Sequence, residues 1–468
     1  MSNLSDLLPA GAGAKSADFV ASGTLGSGVT VALKTDGTVE VVSSSSFSAG
    51  SPIVFEAASS DYNVVTFDSS NNKIVINYRD GGNSNYGTAI VGTVSGTSIS
   101  FGTPVVFVSG SASWAAATFD SNSNKIVIAW ASGVIVGTVS GTSISFGSAT
   151  TYGSNNASYN AITFDSSNNK VVIAYSNQAI SRYGYAVVGT VSGTSISFGT
   201  QVVFESAETN YVGCTFDSNS NKVIIGYQDN PNSSAGTAIV GTVSGTSISF
   251  GSPVVFRTGT TDFINLAFDT TNNKVVVAYS HSSNGKGIVG TVSGTSISFG
   301  TEAVFIATQS WWNSIVYDSN TKKVIIACEN KDTSYGTAIE GTVSGTSITF
   351  NTPLVFEAAN SDYVNIAFDS LNNKLVVAYM DVGNGFYGTS AVLTAGSSNI
   401  TDFIGITDQA IADGASGEVV VQGGVSDKVT SLTANTDYYV QSDGSISTTV
   451  SSVPAGKALS STSILLKG

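Results

Sequence analysis

Residues 94–102 read VSGTSISFG, and the same nine residues recur at 139–147, 191–199, 243–251 and 292–300, with a sixth copy, VSGTSITFN, at 343–351. Copies this alike mark an internal repeat of about fifty residues, the period of stacked supersecondary units. A second motif of the form FDSxxNK travels with the first, its aspartate falling at Asp68, Asp120, Asp165, Asp217, Asp269, Asp318 and Asp369. In the first unit, working outward from VSGTS, the chain reads as four strands: YNVVTF (62–67), KIVINYR (73–79), TAIVGTV (88–94) and TSISF (97–101). The middle two are nearly continuous apolar runs rich in β-branched residues, which indicates sheets covered on both faces. Four-stranded, hairpin-linked sheets stacked face to face at this period predict an all-β, seven-bladed β-propeller, with an open β-solenoid as the alternative.

The seventh unit supplies YVNIAF, KLVVAY and SAVLTA and then loses the pattern, so its fourth strand is missing. At the other end, GVTVALKTDGTVEVV (28–42) alternates apolar and polar residues around a Thr-Asp-Gly turn, a hairpin signal. The expectation is a propeller over 28–394 that is closed by this N-terminal hairpin, with 28–50 completing the last blade and removing the open sheet edges. Residues 1–27, rich in Gly, Ala and Ser, read as an arm. Residues 395–468 read as a small C-terminal β-rich domain, with short strands in GEVVVQGG, TDYYVQSDGS and STSILLKG.

Composition narrows the function classes. Charged residues make up 11% of the 468, against about 25% in ordinary soluble domains. Net charge is −14, and with no basic run to offset it a nucleic-acid partner is not expected. Cys214 and Cys328 fall two units apart, so no disulfide is expected between them. The opening MSNLSDLLPAGAGAKSADF lacks a basic segment followed by an apolar one, so neither a secretory signal nor membrane insertion is expected.

Variation between units is concentrated on one face. The first and third turns, DSxxNK and VSGTS, hardly change. The second turn and the link to the next unit do change: RDGGNSNYG, ASG, SNQAISRYG and QDNPNSSAG in the turn, FEAASSDY, FVSGSASW and FRTGTTDF in the link. Loops on a rigid scaffold are where recognition usually resides. On the same face, six residues before each motif aspartate, stands an aromatic: Tyr62, Trp114, Tyr159, Tyr211, Phe263, Trp312 and Tyr363. Two roles are open for these seven. They would ring the channel mouth and stack on sugar rings, or they would be wedges packed between neighbouring blades, which their unbroken aromatic character favours. A second aromatic series, Tyr78, Trp130, Tyr175, Tyr227, Tyr279 and Tyr379, with Cys328 in its place in the sixth unit, ends the second strands and reads as packing between blades.

Catalytic signatures do not emerge. Each motif aspartate opens a tight turn, where an Asp side chain bonds backbone amides two residues on, so turn building rather than metal binding is its expected role. The single histidine, His281, lies in a variable loop, and there is no nucleophile elbow, phosphate loop or metal-spaced cluster. Asp61, Glu208, Asp262 and Asp362 lie near the variable face, but nothing selects two of them as a glycosidase pair. No enzyme activity, cofactor or metal is expected.

The opening MSNLSDLLPAGAGAKSADFVASGTL, the FDSxxNKVVIAY and GTAIVGTVSGTSISFGTPVVF repeats and the tail TDFIGITDQAIADGASG … LTANTDYYVQSDGSIS … AGKALSSTSILLKG together resemble virion structural proteins of marine tailed bacteriophages, of the tail-fibre or adhesin type. The resemblance implies a non-enzymatic virion protein, assembled in the host cytoplasm and released by lysis. It implies other virion proteins as partners, a host surface glycan or receptor as the target of a tail fibre, and a place for homo-oligomers, since fibres are often trimeric. A capsid decoration protein without a receptor is the alternative, and a glycan hydrolase a more distant one.

Overall fold

A computed structural model describes residues 15–153 and 156–467, which divide into two compact units, one of residues 47–395 and one made of the N-terminal segment up to Ser46 and the C-terminal segment from Gly396. Both are built from antiparallel sheets, and no α-helix occurs among the described residues.

In unit 47–395 each repeat contributes one set of hairpin-linked strands: those of the second to fifth repeats are separate sheets, and those of the sixth, last and first are joined in one thirteen-stranded sheet. In the first, Ile53–Asp68 pairs with Lys73–Asp80, which pairs with Tyr86–Ser95. The outer edge of this third strand is shared. Its C-terminal half pairs with Ser98–Phe101 and its N-terminal half with Val105–Ser111, the start of the link to the next repeat. The expected four strands are therefore present, with a fifth built from the apolar half of the link. Each sheet buries both faces against its neighbours, as the continuous apolar runs require. Val172, Ala174 and Val188 of the third repeat share a core with Val223, Ile225 and Tyr227 of the fourth. Val376, Ala378 and Val392 of the last repeat share one with Ile74, Ile76 and Tyr78 of the first. The second aromatic series packs at these joints as expected: Tyr78 lies 5.2 Å from Phe55, Tyr227 5.2 Å from Phe204 and Tyr379 5.3 Å from Phe356, centroid to centroid.

The two constant turns have separate physical causes. In each DSxxNK turn the aspartate Oδ1 accepts the N–H groups two and three residues on, at 2.8–3.2 Å in all seven repeats. The residue before the lysine takes a left-handed conformation, and it is Asn in six repeats and Lys322 in the other. Asn is the side chain that tolerates that region most readily. The glycine that ends VSGTSISFG answers to the next repeat. A Cβ on Gly102 would sit 1.9 Å from the Thr142 carbonyl oxygen, and Gly147, Gly199, Gly251 and Gly300 meet Thr194, Thr246, Thr295 and Thr346 in the same way. Asn351 stands at this position only in the sixth repeat, which is followed by the repeat whose own VSGTS turn is missing. There the side chain bonds Glu340 instead, Nδ2 to Oε2 at 3.0 Å.

The last repeat is completed from the N-terminal side, but not as the sequence suggested. Ser48–Ala49 pairs with Thr394 and Leu393, and Ile53–Ser59 runs along the other half of the same strand, Tyr387–Thr394. The hairpin strands Thr30–Leu33 and Val39–Val41 instead join a sheet with Phe403–Thr407 and Ser416–Val421 in the other unit. Of residues 28–50, only Phe47 to Gly50 belong with the repeats. The missed signal is VSSSSFSAG at 42–50, a decayed copy of VSGTSISFG that keeps the first valine, three serines in register and the final glycine. Gly50 behaves as that copy demands, its Cβ position lying 1.9 Å from the Thr97 carbonyl oxygen. With this edge filled by 48–59, the hairpin buries Val31 and Val39 beside Val419 and Ile411 instead.

The other unit combines two five-stranded sheets. Ser16–Val20 pairs with Val420–Ser416, so residues 16–20 are part of a sheet rather than an arm, and residues 1–14 of the expected arm lie outside the described residues. The second sheet holds Val425–Ser426, Asp437–Val440, Ile446–Ser447, Pro454–Ala458 and Ile464–Leu466. The domain expected over 395–468 is therefore present but takes in the N-terminal segment as well, because its first sheet needs those strands.

The glycine contacts generate a prediction. Gly199→Ala drives a methyl group into the Thr246 carbonyl and is expected to destabilise unit 47–395 by about 1–3 kcal/mol, the usual cost of overpacking. Asn351→Gly, at the same motif position, is expected to change stability by well under half of that. Urea unfolding of both variants against the parent chain measures the contrast.

Candidate ligand-binding cavity

The first strand of six repeats carries a bulge, and in the second repeat a turn at Ser113 and Trp114 precedes the strand. In repeat one Asp61 pairs with Arg79 and Val64 with Asn77, so Tyr62 and Asn63 together face Tyr78 alone. Such an insertion re-aims a side chain. The aromatic sits at the bulge in six repeats and in the turn before the strand in the second, and all seven have positive φ: Tyr62 52°, Trp114 56°, Tyr159 50°, Tyr211 47°, Phe263 51°, Trp312 56° and Tyr363 51°. For a bulky L-residue this region costs about 1–2 kcal/mol, and strain kept at every equivalent position points to a use for it.

The use is to turn the rings toward one another. Tyr62 contacts Trp114 at 5.3 Å between centroids, Trp114 contacts Tyr159 at 4.4 Å, Tyr159 contacts Tyr211 at 5.1 Å, and Tyr211 contacts Phe263 at 5.0 Å. Phe263 then contacts Trp312 at 5.5 Å, Trp312 contacts Tyr363 at 4.3 Å, and Tyr363 returns to Tyr62 at 5.0 Å. The rings are half-buried and border a cavity of about 630 Å³ lined by the first strands of all seven repeats. Tyr159, Tyr211 and Trp312 also pack against cores shared by neighbouring repeats, so the ring of contacts and the wedge role coexist in these side chains. The second series lies deeper in the same joints, its side chains fully buried.

Polar groups are placed sparingly around this apolar wall. Asn365 Oδ1 accepts the Val65 N–H at 2.8 Å and ties the last repeat to the first, while Asn160 Nδ2 donates to the Trp114 carbonyl at 2.9 Å. Asn313 is 6% exposed and donates to the Phe263 carbonyl, but among the described residues its Oδ1 has no partner, and the indole N–H groups of Trp311 and Trp312 have none either. Burial pushes the Tyr62 and Tyr159 phenols up and those of Tyr211 and Tyr363 to about 12, so all four are protonated at neutral pH and able to donate. Burial also pushes the Cys214 thiol on the cavity wall up to about 12, which leaves it without nucleophilic character.

Charge at the rim is mostly neutralised in place. The residues just before the aromatics are Asp61, Ser113, Ser158, Asn210, Asp262, Trp311 and Asp362. Asp61 pairs with Arg79, whose guanidinium also lies over the Tyr62 ring at 5.2 Å. Arg182 pairs with Glu208 at 2.7 Å. Lys331 pairs with the buried Glu329 at 2.8 Å and sits 3.8 Å above the Trp311 ring. Burial raises the Glu329 carboxyl, opposed by the Lys331 ammonium and reinforced by Asp362. Asp262 accepts from Gln228 Nε2 at 2.7 Å, and burial pushes its carboxyl up. Of the four carboxylates singled out in the sequence, Asp262 alone lines the cavity, where no other acid, Lys or Arg accompanies it among the described residues. Trp311, Asn313 and Gln228 were not singled out. The doubled tryptophan at 311–312 was the available signal for the first, whereas Gln228 reaches the rim only through cross-strand pairing with Asn210.

With this geometry in place the fold class is defined: an all-β protein with a β-propeller-like arrangement of antiparallel sheets. The solved structure of the BP39L lectin from Burkholderia pseudomallei matches with a TM-score of 0.55 at 12% identity, over 73% of this chain and 98% of its own. Weaker likenesses are Sqt1 of Chaetomium thermophilum bound to the N-terminus of ribosomal protein L10 (TM-score 0.47, 11% identity, 75% of this chain and 99% of that one) and the NanB sialidase of Streptococcus pneumoniae (0.44, 12%, 75% and 70%). No family model and no curated protein matches the sequence.

The raised Asp262 carboxyl has a consequence for stability. Burial favours its protonated form in the folded state, so the stabilisation it contributes is complete below the unfolded carboxyl value and is lost as pH rises through the higher folded one. Asp262→Asn, which cannot ionise, is expected to raise Tm at pH 7 and to leave it unchanged near pH 3. Calorimetric scans of both proteins across that range read the difference.

Proposed function

We propose that residues 47–395 form a closed seven-bladed β-propeller whose aromatic-rimmed cavity binds a carbohydrate without catalysing its cleavage, and that the chain serves as a tail-fibre or receptor-binding component of a phage virion. One observation carries the binding reading: seven aromatic side chains, each held at positive φ, make an unbroken cycle of ring contacts around a cavity. Neighbouring centroids about 5 Å apart in a regular seven-membered cycle put opposite rings roughly 11 Å apart, enough to admit one sugar ring in van der Waals contact. Aromatic faces supply apolar area, and the Tyr and Trp polar tips supply donors.

Two further points support this reading. The structural neighbour with the highest TM-score of those described is a lectin, which agrees with sugar recognition on such a scaffold. Paired carboxylates, which glycoside cleavage ordinarily requires, are absent among the lining residues, of which Asp262 is the only acid. The virion role rests on the sequence resemblance. Single sites would bind weakly, and several copies on one particle would raise the avidity.

The test combines a glycan array with adsorption of the labelled protein to host cells. Saturable binding that blocks infection is the expected result. Trp114→Ala combined with Trp312→Ala is expected to lower glycan affinity by at least tenfold while the far-ultraviolet circular dichroism and the cooperative unfolding transition are retained. Absence of binding to every glycan and cell would remove the receptor-binding role, and turnover of a host polysaccharide would replace it with a hydrolase.

A further inference from the structure

We infer that the sugar unit seated in the aromatic ring carries a cationic amino group and that the Asp262 carboxylate receives it. The inference rests on the reading of the cavity as a carbohydrate site and goes beyond it by naming the ligand's charge. It begins with what the cavity lacks: among the described residues its lining contains no Lys or Arg, and Asp262 is its only charged side chain. The cations nearest the rim are already committed, Arg79 to Asp61, Arg182 to Glu208 and Lys331 to Glu329, and Arg257 pairs with Glu302. A sulfate, a uronic acid or another acidic sugar would therefore enter without a counter-charge and face a carboxylate.

Asp262 itself is uncompensated. It forms no ion pair among the described residues, and its cross-strand partner is Ser280, whereas Asp61 in the equivalent place faces Arg79. Its one hydrogen-bond donor is the neutral amide of Gln228, itself held by Asn210 and by the Thr261 carbonyl. His281 acts on it at longer range, its ring engaged with Arg257 and the Thr260 carbonyl. Burial raises the phenols of Tyr211 and Tyr159, and the charge of Asp262 adds to the rise at Tyr211 and, against the opposing Arg182, at Tyr159.

The surrounding groups complete the argument. Phe263, the residue after Asp262, stacks on Trp311 at 5.6 Å and meets Tyr211 at 5.0 Å, and these rings line the cavity together with Asp262. Ring faces carry negative electrostatic potential and attract an ammonium group, most strongly where water is excluded. Aromatic faces joined to a half-buried, unpaired carboxylate form a receptor for a cation, and the unpartnered Asn313 Oδ1 on the same wall is a further acceptor for an N–H or O–H group.

The full chain is titrated with glucosamine oligosaccharides bearing free amines, with the N-acetylated oligomers of the same length, and with oligouronates. The expected result is tenfold or tighter binding of the free amine over the N-acetylated form and no binding of the uronates. Asp262→Asn is expected to remove that preference. The Asp18→Asn control, a change of the same charge on an exposed strand of the other unit, is expected to preserve it and so to exclude general attraction to an acidic protein. Equal binding of amine and amide that Asp262→Asn leaves unchanged, or preference for a uronate, overturns the cationic ligand. If that binding still disappears in the Trp114→Ala, Trp312→Ala variant, the carbohydrate site itself stands. Failure of all three sugars to bind removes both readings for these sugar classes.

Discussion

The constraint on which the repeat unit depends is that none of its sheets can cover itself. The two middle strands of each repeat are apolar on both faces, and every core cluster of unit 47–395 is shared by two repeats, successive ones in six clusters and the last with the first in the seventh. Fully burying one aliphatic or aromatic side chain is worth about 1.5–3 kcal/mol, and that gain is realised only when a neighbour is present. The same closeness dictates the constant residues. A glycine ends the fourth strand because a carbonyl oxygen of the next repeat occupies the space a Cβ would need, and the position is released to Asn351 where that neighbouring turn is absent. Near-identity of VSGTSISFG from repeat to repeat is thus a condition of stacking.

A scaffold tied together this way can hold strain at its centre. Each ring aromatic sits in a conformation that an isolated strand would leave, and in six repeats it is kept there by the strand pairing on either side of a bulge. The same backbone conformation recurs seven times, and the seven side chains converge. What lies around them is less uniform. The preceding position is acidic, amidic, hydroxylic or indolic according to the repeat, and the following one is Asn in three repeats and apolar in the others. Constant aromatic faces with a varied polar surround give a site that is general in its apolar contact and particular in its hydrogen bonds and charge.

Much of the fold was legible in advance because it is local and repeated. The strand pattern, the turn-building role of Asp68 and its equivalents and the packing role of Tyr78 and its series follow from residues within one repeat and agree with the observed pairings. The seven aromatics were found by their spacing, yet their orientation was not, since αL geometry at a bulge leaves no mark that distinguishes a wedge from a cavity-lining ring. The closing strand was assigned to the wrong hairpin for a related reason. Residues 28–42 carry a clear alternating pattern, whereas 42–50 had decayed to VSSSSFSAG. An alternating pattern says that a hairpin has one buried face without saying which sheet will bury it.

The sequence alone therefore determined the repeat, its strands, its turns and the residue types available for recognition, because these are set by periodicity and by backbone preferences that act over a few residues. Tertiary structure decided which segment completes the last repeat, which unit the N-terminal hairpin joins, where the aromatic rings point and that Asp262 alone brings charge to their cavity. Those outcomes depend on which surfaces meet across hundreds of residues of chain, and free energy of burial and of charge is defined only once they have met.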